Sequence, residues 1–342
     1  MKKITQTEIA KRVGVSQTTV SLVLNRNDNF KISEKTKRKI LEIARNIGYW
    51  SYKKKANTGN IAYLIPSYAT LPLYNPYFYR FYIGILNLIK SSNMNLVLFH
   101  LDEKEILFKK ELFEKTDGII IEEMVKDEIV EKLRKIKPVV FLNYTSEISV
   151  DSVMPDNKNG IIKAVKYLYQ KGHRRIGFYG MKPFKIHQIE RFEGYKEGLK
   201  ILGIKFKKEY VEIPEKKIGG FKELDNYSRQ TLIKWMSIKE KPTAIVTLGD
   251  VYAISLIKEG NKIGLKLPED LSVIGFDNIV NCEQIHPSLT SIDQPMEAMG
   301  EKAVELLIER INNPEKKVEK IRFEVEIVER ESVFDLKDYY NK

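Results

Sequence analysis

Three charged residues stand where the sequence could bind a small polar molecule. Asp250 follows the apolar run Ala244–Thr247, and Asp277 follows the apolar residues 272–276, so both carboxylates can accept hydrogen bonds from ligand hydroxyls. Arg191 opens a predicted helix and can donate a two-pronged bond to a hydroxyl pair or a carboxylate. Together they suit a polyol. Each also has a structural interpretation, because Asp250 can cap a helix, Asp277 can hold a turn and Arg191 can be a surface charge.

A second group of polar residues, near the N-terminus, could contact DNA. Gln17 and Thr18 carry amide and hydroxyl groups that can bond with base edges. The candidate phosphate contacts are Thr5, Ser16, Ser21, Asn25, Lys35 and Arg38, and Gln6 completes the set of candidate DNA contacts in this region.

The sequence contains few of the residues that metal sites and nucleophilic catalysis need. Its one cysteine, Cys282, excludes an internal disulfide framework, and four histidines leave little for a zinc site. No Gly-x-Ser-x-Gly elbow, Walker loop or dinucleotide fingerprint follows a predicted strand. We therefore expect no metal and no cofactor. An enzyme with Asp250, Asp277 or His173 as acid and base is a remote alternative.

Length and charge separate the chain into a basic head and a nearly neutral body. The 342 residues are enough for two or three domains, and 43% hydrophobic with 30% charged residues is typical of a globular protein. Residues 1–58 contain 14 Lys and Arg against 4 Asp and Glu, whereas the other 284 residues contain 44 against 42. This distribution favours a head that neutralises phosphates, although a lysine-rich solvated face is the alternative.

The spacing of apolar residues in the head predicts a helix-turn-helix. Thr5 is positioned to cap a first helix, whose apolar stripe ends at a glycine. Ser16 is positioned to cap a second helix over residues 17–25, and Ser33 a third that ends near residue 46. This domain, residues 1–48, would place its second helix in the major groove. The alternative is an ordinary helical hairpin with a solvated polar face.

Two stretches of the head match a known pattern, TQTEIAKRVGVSQTTVSLVLN at residues 5–25 and ISEKT at residues 32–36. They resemble the N-terminal domain of the lactose-repressor family of bacterial transcription regulators. The resemblance implies that the second helix is the recognition helix and that Gln17, Thr18 and Leu22 read the operator. Leu22 is apolar, so at most it contacts a thymine methyl group.

Residues 49–59 are expected to form a basic linker between the head and the body. Members of the family usually have a hinge helix here, with a leucine that enters the minor groove and kinks the DNA. This sequence lacks that pattern and has Lys53, Lys54 and Lys55 instead. We expect these lysines to contact phosphates, and a purely flexible tether is the alternative.

From residue 60 onward, short apolar runs alternate with amphipathic segments, twice over. This α/β pattern predicts two doubly wound parallel-sheet subdomains around a ligand cleft. The N-terminal subdomain would comprise residues 60–159 and about 293–322, and the C-terminal subdomain residues 160–292 and about 323–335. The predicted strands are residues 61–66, 96–101, 118–121, 139–142, 152–154, 176–179, 210–213, 244–247 and 272–276, with residues 323–330 as one further alternating strand.

Seven short motifs of the body resemble, in the same order, the effector-binding domain of that family, itself similar to periplasmic sugar-binding proteins. The resemblance implies that Arg191 and Asp277 touch the effector. It also implies that Tyr77, Phe78 and, more loosely, Tyr68 line the cleft. The motifs are KTDGII (115–120), PVV (138–140), GHRRI (172–176), RFEGY (191–195), LPED (267–270), IGFD (274–277) and PSLT (287–290).

Two departures from the family pattern concern the cleft. Gly249 stands before Asp250 where the family commonly has Asn, so one amide contact is missing and a different effector is favoured. Residues 67–75 are longer and richer in tyrosine than is typical, which suits stacking on sugar faces. An ordinary surface loop is the alternative there.

The resemblance implies a repressor of carbohydrate-utilisation genes that a sugar effector releases from DNA. We expect a homodimer on a near-palindromic double-stranded operator, since no leucine heptads for a tetramer follow the last strand. The alternatives are a nucleobase or nucleoside, or a phosphoprotein partner, that acts as corepressor. No apolar run is long enough for a membrane span and no secretory signal is recognised, so a cytoplasmic location is expected.

Overall fold

The computed structural model describes residues 5–24, 32–46, 58–66, 76–92, 94–101, 113–122, 125–182, 185–214 and 218–337. These residues form a small helical head and a body of two α/β subdomains. No helix among them is both long and apolar enough to cross a lipid bilayer. The predicted contacts that lie outside the described residues are Asn25, Lys53, Lys54, Lys55 and Tyr68, together with the side chain of Arg38.

Three helices form the head, as the spacing of its apolar residues predicts. Ile9, Val20 and Ile40 come from one helix each, are fully buried, and form the centre of a common core. Helices this short are not stable alone, so the burial of these side chains holds the head together. The helices are α1 (Gln6–Val13), α2 (Gln17–Leu24) and α3 (Glu34–Asn46).

Hydroxyl side chains cap the starts of the head helices and so fix the position of α2. Oγ1 of Thr5 accepts from the backbone N–H of Glu8 at 3.3 Å. Oγ of Ser16 accepts from the backbone N–H of Thr19 at 3.0 Å. Between the two helices the chain turns at Gly14, whose φ of 80° lies in the left-handed region that glycine adopts without steric cost.

The body consists of two sheets, each with six strands among the described residues. The strand orders are β11-β5-β4-β3-β1-β2 and β12-β10-β9-β8-β6-β7, where every pairing is parallel except that of β10 with β12. Two doubly wound subdomains are thereby confirmed. The elements are β1 (Asn60–Pro66), α4 (Pro76–Ser91), β2 (Asn95–Leu101), β3 (Gly118–Ile121), α5 (Asp127–Ile136), β4 (Val139–Leu142), β5 (Asp151–Pro155), α6 (Asn157–Gln170), β6 (Ile176–Tyr179), α7 (Ile186–Ile201), β7 (Val211–Glu212), α8 (Phe221–Ser237), β8 (Ala244–Thr247), α9 (Asp250–Lys262), β9 (Ser272–Asp277), β10 (Thr290–Asp293), α10 (Met296–Asn312), β11 (Lys320–Phe323) and β12 (Glu326–Val328).

Helices cover both faces of the first sheet, which explains why its central strands are continuous apolar runs. Every residue of β3 and β4 is buried. Phe81 of α4 and Leu307 of α10 pack on one face, and Val130 of α5 packs on the other. Helices α4 and α10 can approach closely because Gly84 has no Cβ. A Cβ there would overlap the carbonyl oxygen of Glu297.

The chain crosses between the two subdomains three times, and these crossovers connect β5 to α6, β10 to α10, and β11 to β12. The predicted boundary after residue 159 lies inside α6. That helix packs along α7 of the second subdomain, where a Cβ on Gly194 would come within 2.5 Å of the carbonyl oxygen of Lys158. The described C-terminal subdomain therefore begins with α6 at Asn157.

The prediction of one strand over residues 323–330 is wrong. Strand β11 pairs in parallel with β5 of the first sheet, whereas β12 pairs antiparallel with β10 of the second. Between them, Val325 is 1% exposed and packs in the core of the second subdomain. Both strands lie at sheet edges and have one partly solvated face, so apolar and polar residues alternate in each. This alternation continues across the crossover, and the sequence pattern therefore does not reveal that the chain changes sheet. Strand β10 was not predicted.

Candidate functional site

A cavity of about 240 Å³ lies between the two subdomains, at the carboxyl ends of their strands. The first subdomain contributes α4 and the segments that follow β3 and β4. The second contributes α7 and the segments that follow β8 and β9. Ligands of open α/β sheets bind in this position, so the cavity is the candidate effector site.

Arg191 is held on three sides in the cavity wall. Helix α7 begins at Ile186, so Arg191 lies in its second turn and not at its start as predicted. Nε donates to Oδ1 of Asn157 at 2.9 Å, and Nη1 donates to the carbonyl oxygen of Leu248 at 2.7 Å. Cζ lies 3.7 Å from the ring centroid of Phe276. The guanidinium is therefore fixed before any ligand arrives.

Asp277 ends β9 beside Arg191. Its Oδ1 lies 3.1 Å from Nη1 of Arg191 and accepts a 2.7 Å hydrogen bond from Nε2 of Gln294. Burial raises the pKa of Asp277 to about 6, although the neighbouring Arg191 lowers it. The φ of Asp277 is 115°, a value that costs a residue with a side chain about 1–3 kcal/mol. Neighbouring groups must therefore hold this residue in place.

Asp250 supplies much of that support and does not face the cavity. Its Oδ2 accepts from the backbone N–H of Ile279 at 2.9 Å and from Sγ of Cys282 at 3.2 Å. Its Oδ1 accepts from Oγ of Ser291 at 2.6 Å. Asp250 is fully buried and is absent from the described residues that line the cavity. The structure thus corrects the predicted ligand contact, because Asp250 instead positions the segment that follows Asp277.

Three polar atoms of the cavity wall have no hydrogen-bond partner within the described parts of the chain: Nη2 of Arg191, Oδ1 of Asn143 and Nδ1 of His187. The amide of Asn143 is oriented by its Nδ2, which donates to the hydroxyl of Tyr77 at 2.6 Å. Burial lowers the pKa of His187, and Arg191 and Lys185 lower it further, so the ring is neutral at pH 7. The wall therefore offers a cationic donor, a neutral acceptor and a neutral imidazole.

In the head, α2 presents the predicted base-reading residues at its start. Gln17 and Thr18 are exposed, and Leu22 is half-buried. The side chain of Gln17 accepts a 3.2 Å hydrogen bond from Oγ1 of Thr7, which steadies it. Their contacts with DNA stay predictions. Of the predicted phosphate contacts, those exposed are Thr5, Ser16 and Lys35, and those half-buried are Gln6 and Ser21.

The head and the body each match a known protein family. The pattern of bacterial regulatory proteins of the lacI family matches residues 5–51, and that of a periplasmic binding protein-like domain matches residues 165–333. The chain is 30% identical over 322 residues to the NTD biosynthesis operon regulator NtdR of Bacillus subtilis, which covers 89% of this chain and 92% of that protein. The chain belongs to the LacI family.

Two further similarities extend over most of this LacI-family chain. The HTH-type transcriptional repressor PurR of Photorhabdus laumondii is 30% identical over 345 residues, with 96% of each chain covered. A crystal structure of a LacI family transcriptional regulator from Enterococcus faecium with bound ribose superposes with a TM-score of 0.69. It is 27% identical and covers 81% of this chain and 99% of that one. The function class is therefore a transcription regulator and not an enzyme.

The cavity of this LacI-family chain contains four of the six predicted effector contacts. Asp250 lies behind the wall, and Tyr68 is outside the described residues. His173, a candidate acid or base of the enzyme alternative, bonds elsewhere, with Nδ1 2.9 Å from Oγ1 of Thr243. The four that line the cavity are Tyr77, Phe78, Arg191 and Asp277.

Sequence reasoning missed most of the other lining residues, although two signals could have found some of them. Glu122 and Asn143 directly follow predicted strands, at the edge where ligands bind. His187 and Gln188 precede Arg191 by four and three residues, so they share one face of the same helix. The missed residues are Glu122, Asn143, Tyr144, Lys185, His187, Gln188, Leu248, Val251, Tyr252 and Ile279.

Proposed function

We propose that this chain is a repressor whose affinity for operator DNA falls when a neutral, polyhydroxylated ring compound occupies the cavity. The observation that carries the proposal is the set of buried polar atoms without a described partner, on Arg191, Asn143 and His187. A buried polar atom left without a partner costs about 1–3 kcal/mol, so such atoms favour a ligand that bonds with them. A carbohydrate effector fits this requirement.

Hydroxyl groups match the unpaired atoms because a hydroxyl both donates and accepts. Nη2 of Arg191 needs an acceptor, whereas Oδ1 of Asn143 needs a donor. The neutral ring of His187 takes either role at Nδ1, depending on its tautomer. A ring that bears several hydroxyls could serve all three atoms.

The charges of the cavity wall favour an uncharged effector. Among the described lining residues, Lys185 and Arg191 are basic, and Glu122 and Asp277 are acidic. The hydroxyl of Tyr63 donates to Glu122, and Asp277 is paired with Arg191. The two basic and two acidic side chains balance, so the wall offers no net charge to attract a charged ligand, and a neutral polar ligand suits it.

The size and the aromatic lining of the cavity also suit one sugar ring. A volume of about 240 Å³ exceeds that of an engineered cavity of about 150 Å³ that binds benzene, so a six-membered ring can fit. The rings of Tyr77, Phe78, Tyr144 and Tyr252 line it and could pack against the apolar face of a sugar.

A nucleobase or nucleoside that acts as corepressor is the second candidate, and the same four rings favour it. Aromatic side chains stack on planar bases, and the edge of a base offers donors and acceptors that suit Asn143 and Arg191. The match between hydroxyl groups and the unpaired atoms favours the sugar, whereas the aromatic rings suit both candidates. A direct comparison of the two ligand classes is therefore needed.

On the DNA side, we propose a homodimer that binds a near-palindromic operator in the cytoplasm. Each head would place α2 in the major groove, where Gln17 and Thr18 reach base edges. Lys53, Lys54 and Lys55 of the linker would neutralise phosphates. The effector would act by binding one arrangement of the two subdomains better than the other, which changes the spacing of the heads.

Selection of binding sites from a random duplex pool tests the DNA half of the proposal. The full chain is expected to recover a near-palindromic site and to bind it at least about a thousandfold tighter than bulk DNA. Binding that is blind to sequence at every salt concentration would contradict a specific repressor. Gln17→Ala should relax the preference at one base position of each half-site, by about 1–3 kcal/mol.

The selected duplex then serves to compare the two effector classes. D-ribose, D-glucose, adenine and adenosine are each titrated into the complex of the full chain with this duplex. Release by a sugar supports the proposal. Tighter binding with adenine or adenosine, and no effect of either sugar, would replace it by the corepressor alternative.

A further inference from the structure

We propose that Asn157 is a positioning residue that connects Arg191, the candidate effector-binding arginine, to the crossovers between the subdomains. The inference rests on the proposed effector role of Arg191 and Asp277. It concerns a chain of polar contacts that begins in the cavity wall and reaches all three crossovers. The members of this crossover network are Arg322, Glu190, Asn157, Arg191, Asp277 and Gln294.

Asn157 lies at the first crossover and uses both ends of its amide. It is the first residue of α6, directly after the crossover from β5, and it is fully buried. Oδ1 accepts from Nε of Arg191 at 2.9 Å, while Nδ2 donates to Oε2 of Glu190 at 3.1 Å. Only a side chain with an acceptor and a donor can join these two partners.

Glu190 extends the network to the third crossover. It lies in α7 of the second subdomain, and its carboxylate pairs with both terminal nitrogens of Arg322, at 3.0 Å from Nη1 and 2.5 Å from Nη2. Arg322 lies in β11 of the first sheet, immediately before the chain crosses to β12. This two-pronged ion pair therefore spans the two subdomains.

Gln294 connects the other member of the effector pair to the second crossover. It lies between β10 and α10 and is fully buried. Its Nε2 donates to Oδ1 of Asp277 at 2.7 Å. Arg191 and Asp277 are thus each bonded to a side chain at a crossover, through Asn157 and Gln294.

Through these contacts, an effector bound in the cavity can change the angle between the two subdomains. A ligand that bonds with Nη2 of Arg191 acts on the same guanidinium whose Nε is bonded to Asn157. Rotation of the subdomains moves Arg322 relative to Glu190, and buried amide bonds tolerate little displacement. Occupancy of the cavity and the angle between the subdomains are therefore coupled through Asn157.

The test measures the subdomain arrangement in the ligand-free full chain. Fluorescent dyes are attached to cysteines that replace Lys132 of α5 and Lys200 of α7, both exposed, while the buried Cys282 stays unlabelled. The labelled chain is diluted into excess unlabelled chain, and energy transfer is recorded molecule by molecule. Arg322→Gln should lower the equilibrium constant that favours the arrangement described above about two- to fivefold, as expected for the loss of one partly exposed ion pair.

Arg134→Gln is the matched control, because Arg134 is similarly exposed but pairs with Glu131 within one helix of the first subdomain. It should leave the distance distribution unchanged, and both variants should unfold at temperatures close to the wild type. A distribution for Arg322→Gln that equals that of Arg134→Gln and of the wild type would overturn the inference.

Asn157→Asp provides a second, independent test. Aspartate keeps an oxygen for Nε of Arg191 but replaces the donor that faces Glu190 by a second carboxylate oxygen. The distance distribution should shift at least as far as in Arg322→Gln, and no shift in a folded variant would contradict the role of Asn157. Neither energy-transfer measurement needs an operator or an effector. If the selection of DNA sites from the random pool fails, the repressor function is overturned, but the measured effect of Asn157 and Arg322 on the subdomain arrangement still stands.

Discussion

Arg191 and Asp277 form a buried ion pair in the cavity wall, with 3.1 Å between Nη1 and Oδ1 and side-chain exposures of 4% and 13%. A buried pair adds little net stability over apolar packing, but removal of one partner leaves the other charge uncompensated. Removal of one partner should therefore cost more stability than the intact pair supplies.

Arg191→Leu should lower the free energy of unfolding by about 3–5 kcal/mol at pH 7, because it leaves Asp277 buried without its cation. Removal of Arg191 also removes an influence that lowers the pKa of Asp277, so the folded variant takes up a proton more readily. A carboxyl with a raised folded pKa stabilises below its unfolded pKa and loses that contribution as the pH rises. Urea titrations at pH 7 and pH 5 should show a smaller deficit at pH 5.

Arg174→Leu is the control for that substitution, because Arg174 is exposed and bonds with backbone carbonyls outside the cavity. Its cost should stay within about 1 kcal/mol at both pH values. Equal costs for the two leucine variants would show that the ion pair has no special importance.

Asp250→Asn should loosen the segment that follows Asp277. Asparagine has the same shape, but one of the two acceptor oxygens becomes a donor, so the backbone N–H of Ile279 or the hydroxyl of Ser291 loses its acceptor. We expect a loss of about 1–3 kcal/mol and faster amide hydrogen exchange over residues 277–283. Mass spectrometry of the exchanged peptides measures this.

The comparison for Asp250 is Asp270→Asn, in which the altered carboxylate accepts from the backbone N–H of Lys266 at 2.8 Å, also in a turn. It should leave exchange over residues 277–283 at the wild-type rate. If Asp250→Asn does the same, Asp250 does not support this segment.

His173 should make stability depend on acidity. Nδ1 lies 2.9 Å from Oγ1 of Thr243 and Nε2 lies 3.1 Å from the carbonyl oxygen of Phe334, so the ring fastens the C-terminal segment. Burial lowers the pKa of His173 to about 4. A histidine with a lowered folded pKa contributes stability that is present above its unfolded pKa of about 6.5 and is lost as the pH falls through 4.

The difference in unfolding free energy between the wild type and His173→Gln should therefore be largest at pH 7 and shrink by about 3 kcal/mol toward pH 4. His286→Gln, at a side chain that is 92% exposed, is the control for the loss of a surface imidazole, and its cost should stay within about 0.5 kcal/mol. A difference for His173→Gln that is independent of pH would mean that the ring titrates normally in the folded protein.

The linker lysines should appear in the salt dependence of operator binding. If Lys53, Lys54 and Lys55 each neutralise one phosphate, the two linkers of a homodimer neutralise six, so their joint replacement by Gln should reduce the slope of log K against log salt by up to about 5, at about 0.9 per phosphate. Replacement of Lys132, Lys135 and Lys239, three exposed lysines of the body, should leave the slope unchanged. A flexible tether without DNA contact would give the same slope for both triple variants.

The sequence was sufficient for most of the architecture because its signals are local. The cap at Ser16 and the apolar runs of β3 and β4 follow from hydrogen bonding and burial over a few residues. Asp277 was assigned to the cleft because a strand end and a family motif both point there, and Arg191 because of its family motif. Both residues line the cavity.

The remaining errors concern contacts that are distant in sequence. Asp250 was taken for a ligand contact because its place after β8 is right, but its acceptors are turned toward Ile279 and Ser291 by a fold that only the structure reveals. The change of sheet at Val325 was hidden for the same reason. Alternation of apolar and polar residues shows which face of a strand is buried, but it does not show which strand is the hydrogen-bonded neighbour. Asn157 carried no local signal, because its importance lies in which side chains meet it.

The three crossovers also constrain how the protein can be made. Strand β11, at residues 320–323, pairs with β5, so the first sheet lacks one of its edges until nearly the whole chain has been synthesised. Strand β12 completes the second sheet a few residues later. A ribosome-bound chain that stops before residue 320 can finish neither subdomain, and no single cut in the backbone can release one intact. The two subdomains of this regulator must therefore complete their folding together, after nearly the whole chain has been synthesised.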